Sequence, residues 1–126
     1  MPLKARFFIL LLSCFFLSKS CFSQTDTEFW FAAPAITAAH ENTPIVLRIT
    51  SYDKAATITI SQPSNSNFSP IVINIAAFTT TTYDLTSFLS SIETRPSATI
   101  SNTGIKITSN ANISVYYEVG QQKNPE

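Results

Sequence analysis

The sequence predicts an all-β fold, an antiparallel β-sandwich of about six or seven short strands, on three observations. Apolar residues recur with period two over most of the chain, which places them on one face of extended segments. β-branched Ile, Val and Thr are abundant while glycine occurs only twice, at Gly104 and Gly120, a bias that suits a pleated surface. Clusters of Asn, Ser, Pro and Asp separate the alternating runs.

Taken in order, Glu28 to Ala33 is a continuous apolar run, expected of a strand packed on both faces or of one that opens a domain. Ile45, Leu47 and Ile49 share one face of a strand over Pro44 to Ser51. Ile58 and Ile60 repeat the pattern within Thr57 to Ser61, and Ile71, Ile73 and Ile75 form another stripe. The threonines Thr79 to Thr82 lead into Tyr83 as a further strand. Leu85, Phe88, Leu89 and Ile92 instead follow helical spacing, so one short helix is expected near 85–92. Asp84 or Thr86 is placed to cap it and Pro96 to end it. The last part of the chain reads as a hairpin. Asn102-Thr103-Gly104 opens it, Asn110-Ala111-Asn112 turns it, and residues 105–109 pair with 113–119. Ile105, Ile107, Val115 and Tyr117 then face the core, and Gly104 supplies a positive φ.

The first 23 residues have a separate character. Lys4 and Arg6 precede an apolar run from Phe7 to Leu17. As a helix that run spans roughly 16 Å, about half of a ~30 Å hydrocarbon core, which suits a secretory signal and not an anchor. Cleavage is expected between Ser23 and Gln24, with Cys21 three residues before the cut. Lipidation would need Cys21 as the first mature residue, and the charged Lys19 breaks the small apolar pattern that requires. Residues 1–23 are therefore read as a signal peptide and 24–126 as the β-domain, secreted or held at the cell surface through the general export route.

Export changes the charge balance. Lys4, Arg6 and Lys19 leave with the signal, so five basic residues face eight acidic ones, a balance of −3. No basic stripe is left to bind phosphates, which argues against nucleic acid as a partner. Cys14 and Cys21 leave too, so the mature chain has neither a disulfide nor a thiolate metal site. Nothing in it suggests a membrane span.

Site motifs are sparse. His40 is the only histidine, and it lies in the polar stretch Ala39 to Thr43, which reads as a solvated loop. With no nucleophile elbow, a hydrolytic triad has no residue set. Asp26, Glu28, Asp53, Asp84 and Glu118 are scattered and follow no calcium-loop spacing, although calcium held by convergence in the fold stays open. No cofactor is expected. Asn67-Phe68-Ser69 and Asn112-Ile113-Ser114 match a glycosylation sequon by composition alone. Phe29 and Phe31 point to one side of their strand and Trp30 to the other, with core packing on both sides the first reading and sugar stacking the second. Trp30 and Tyr116 are the two candidates for a ligand or partner surface.

Thr27-Glu28-Phe29-Trp30-Phe31 is similar to the opening G-T-[DE]-F-W strand of the IgGFc-binding-protein N-terminal domain. Asn102 to Ser109, followed by Ile113-Ser114-Val115-Tyr116-Tyr117, resembles that family's N-x-G-[IV]-x-[IV]-T-S and P-[IV]-S-V-Y segments. Asp26 replaces the opening glycine and Asn112 stands where proline is common. The resemblance implies large exported proteins of Bacteroidetes, including gliding-motility-associated surface proteins, and a chain covering only the first part of the domain. The strand-like Tyr117-Glu118-Val119 followed by only seven residues agrees with an incomplete domain. The expected function is a non-catalytic structural or adhesive module that binds through loops or edge strands. The alternative is a carbohydrate-binding module of a secreted enzyme.

Overall fold

A computed structural model describes residues 24–36, 43–96 and 98–120. The signal segment with Ser23, and the His40 loop, lie outside the described residues, while Gln24 is exposed at their start. Among the described residues eight strands run in chain order: β1 (Asp26–Phe31), β2 (Ala33–Pro34), β3 (Ile45–Ser51), β4 (Ala56–Ser61), β5 (Ile71–Ile75), β6 (Thr80–Asp84), β7 (Glu93–Thr94) and β8 (Ile105–Val119). A 3₁₀ turn, Thr86–Phe88, and a short helix α1, Leu89–Ile92, fall between β6 and β7. No helix among the described residues is long and apolar enough to cross a membrane.

The all-β expectation holds. Six strands make one antiparallel sheet in the order β5-β4-β8-β3-β6, with β1 also on β8, and β2 and β7 form a small parallel pair. The register explains how one sheet encloses a core. β3 and β4 both run antiparallel to β8 and lie end to end along it, β4 opposite Lys106 to Ser109 and β3 opposite Ile113 to Val119. β5 and β6 lie end to end in the same way along β4 and β3. Between the two halves the strands spend unequal lengths of chain, Ser51 to Ile58 spanning Ile113 to Ser109, so the sheet turns a corner and curls.

The expected hairpin is therefore corrected: residues 105–119 are one continuous strand, and its halves pair with β4, β3 and β1, not with each other. Asn110-Ala111-Asn112 lies at the corner without reversing the chain. There the Asn110 side-chain carbonyl accepts the backbone N–H of Thr57 at 2.8 Å, taking the place of a ladder partner. The inward set was read correctly for Ile105, Ile107 and Val115, which are buried, while Tyr117 is half-buried against Phe31.

Gly104 is a second correction. No glycine has a positive φ, and a Cβ at Gly104 would meet nothing within 4 Å. Gly104→Ala should accordingly leave stability unchanged or raise it by up to about 1 kcal/mol through the unfolded chain, read as the urea midpoint. Gly120→Ala should lower it, because that Cβ would lie 2.7 Å from the Pro44 ring.

Two turns cover the outside of the corner. Ser51, buried at the end of β3, donates its hydroxyl to the Ala76 carbonyl and accepts the Thr79 N–H at 3.2 Å. The Phe78 N–H donates to the Tyr52 carbonyl at 2.7 Å, tying residues 76–79 to the turn after β3. Inward residues of β3, β4, β5 and β8 join Leu85 and Ile92 in one buried cluster, against which Phe29, Phe31 and Tyr83 pack from β1 and β6. The helix lies where its spacing placed it, and Asp84 accepts the Thr86 N–H at 2.7 Å at its approach.

Candidate binding face

Among the described residues β1 pairs on one edge only, with β8, and its outward side is exposed. Phe29 and Phe31 pack against the core, but Trp30 is 57% exposed, so core packing on both sides of this strand is overturned. Among the described residues no second layer covers Trp30, which the apolar sequence alone could not reveal.

Register builds the surroundings of Trp30. Lys106 of β8 stands directly opposite it, and Ser61 of β4 opposite Lys106. The next row on the same face is Glu28, Thr108, Thr59 and Val72. The Lys106 ammonium lies 5.2 Å from the centre of the Trp30 ring and 2.9 Å from a Glu28 oxygen. The indole N–H donates to the other Glu28 oxygen, also at 2.9 Å. Each partner thereby contacts the other two at the surface. Lys106, and then the indole N–H, hold the Glu28 carboxyl below its usual range. Because Glu28 is charged when folded, the triad persists above the ordinary carboxylate value and is lost as pH falls through the lowered one. Trp30 is the only tryptophan. Its emission should therefore change in a single acid transition with a midpoint below 4.5, the ordinary value, and Glu28→Gln should abolish that transition.

Tyr116, 58% exposed, heads a different patch. It faces Arg48 across β8 and β3, and Arg48 pairs with Glu118, holding that carboxyl low. Lys106 and Tyr116 lie on opposite sides of the corner in β8, so the structure does not bring the two sequence candidates into one site.

Lys106 was missed as a partner of Trp30 because only cross-strand register joins them, and Glu28, two residues before Trp30 on the same face, was left among the scattered acids. Phe78, 82% exposed with φ 55°, was missed because Ala76-Ala77-Phe78 continues the apolar run of β5. Among the described residues no three His, Cys, Asp or Glu side chains come together as metal ligands would. No family model matches the chain, and neither the curated proteins nor the solved structures contain a match to it. Fold and face together define a β-sheet domain with an aromatic, charge-braced outer surface.

Proposed function

We propose that this chain is a non-catalytic structural or adhesive module of an exported cell-surface protein, which holds its partner on the outer face and open edges of the sheet. The observation that carries the reading is the Trp30-Lys106-Glu28 triad, a rigid aromatic with paired charges on a solvated face. Such a group does nothing for the core, and rigid aromatics dominate binding surfaces because little entropy is lost when they are covered. The signal-like segment 1–23 and the resemblance to surface-protein domains point the same way. A carbohydrate-binding module is the second reading, favoured by the exposure of Trp30, whose ring could stack on a sugar.

Trp30 emission separates the two. A saturable change on adding outer-surface protein from the producing cells, absent with defined oligosaccharides and lost in Lys106→Ala, supports the adhesive reading. Saturable quenching by an oligosaccharide, weakened about tenfold or more in Lys106→Ala, transfers the site to the second. Silence with both removes Trp30 as a contact.

A further inference from the structure

We propose that the open edge of β6 pairs antiparallel with β6 of a second copy of this chain, with Phe78 as the apolar anchor of the contact. Among the described residues β6 pairs only with β3, so one row of its N–H and C=O groups has no ladder partner. Edge strands are usually guarded by lysine, proline, glycine bulges or inward charge. β6, Thr-Thr-Thr-Tyr-Asp, carries no lysine or proline and a single charge, Asp84, at its last residue, whereas β1, an edge as well, carries both Asp26 and Glu28.

The sequence of β6 is self-complementary about Thr82. Antiparallel pairing on a two-fold axis there sets Thr82 against Thr82, Thr81 against Tyr83 and Thr80 against Asp84. No like charges oppose, and two threonine–tyrosine pairs form, a favourable cross-strand combination. Phe78 lies two residues before β6 and the 3₁₀ turn that contains the half-buried Phe88 begins two residues after it, so the two-fold axis brings the Phe78 end of one copy to the 3₁₀ end of the other.

Phe78 is the independent observation. An aromatic at φ 55° occupies the left-handed region that glycine or asparagine suits, and here it is 82% exposed. The fold gains neither burial nor relaxed backbone from this side chain, yet Ser51 and the Tyr52 carbonyl clamp the turn that presents it. Outliers of this kind collect where a side chain serves contact rather than packing.

Sedimentation velocity over a wide concentration range, on the chain as processed by the secreting cell, tests the proposal. The unaltered chain should show a monomer–dimer equilibrium. Thr82→Glu, which sets two carboxylates face to face across the axis, should weaken it about fivefold or more, and salt should partly restore it. Phe78→Gly should weaken it about tenfold while the urea midpoint at monomeric concentration holds or rises, because glycine relieves the backbone. That opposition of signs is one a merely structural role would not give. A chain monomeric throughout, or a dimer that both variants leave intact, overturns the proposal.

Discussion

Ile107→Ala should remove about 3–4 kcal/mol of folding stability, much of the roughly 5–10 kcal/mol a domain of this size holds. Ile107 is fully buried at the middle of the β8 half that meets two neighbours, facing Phe29 of β1 on one side and Ile60 of β4 on the other. Both neighbours are pinned by their own ladders, so the cavity left by the missing carbons cannot collapse, and the cost lies toward the upper part of the range for such truncations. Urea unfolding followed by circular dichroism should show a large drop in midpoint with little change in slope. Ile100→Ala, by contrast, removes a fully exposed side chain and should move the midpoint within error. A loss under about 1 kcal/mol at Ile107 would contradict the packing described.

The difference between these two isoleucines marks what the sequence could and could not disclose. Alternation identified the inward residues of β3, β4 and β8, because burial on one face of a strand is a local pattern. Helical spacing likewise placed Leu85 and Ile92 in the core. Pairing is not local. Asn110-Ala111-Asn112 has the composition of a reversal, but whether the chain turns back there depends on β3 and β4 being available along the whole of β8. With both in place, an extended passage keeps ladder bonds on each side of the corner, and the Asn110 amide covers the gap. Trp30 shows the same limit at the candidate site. Its strand parity was evident, yet its exposure depends on none of the described residues being layered above β1, and its two charged neighbours lie two residues before it and across the sheet. Phe78 was hidden for the opposite reason: an apolar run reads as buried until its backbone is seen to turn.

Gln62→Glu should be the most damaging single-atom change in the described chain, and its damage should depend on pH. Gln62 follows β4 directly and is only 3% exposed. Its amide nitrogen donates to the Ser91 carbonyl at 2.8 Å and the Thr103 carbonyl at 2.9 Å, while its oxygen accepts from the Asn65 amide at 2.7 Å. One side chain thus ties the turn after β4 to the end of α1 and to the approach of β8. A carboxylate in this place keeps the bond from Asn65 but sets its other oxygen against two carbonyls. The expected cost is about 3–5 kcal/mol at neutral pH, that of a buried charge whose partners are wrong. Burial and the two carbonyls both push the introduced carboxyl above its unfolded value of about 4.3. A group raised in the folded state contributes its stability fully below the unfolded value. That contribution fades as pH climbs toward the folded value and is gone above it. The variant should therefore come nearest to the original chain below about pH 4, where one O–H can still serve one carbonyl, and fall away steadily through the weakly acidic range. Gln62→Leu supplies the comparison, since it leaves the same carbonyls unpaired without a charge and should lose about 2–3 kcal/mol at every pH. Urea midpoints for both variants, each taken relative to the unaltered chain from pH 3.5 to pH 8, decide the matter. Parallel curves for the two, or a glutamate variant as stable as the original at pH 8, would mean that Gln62 is not the buried tie between these three segments.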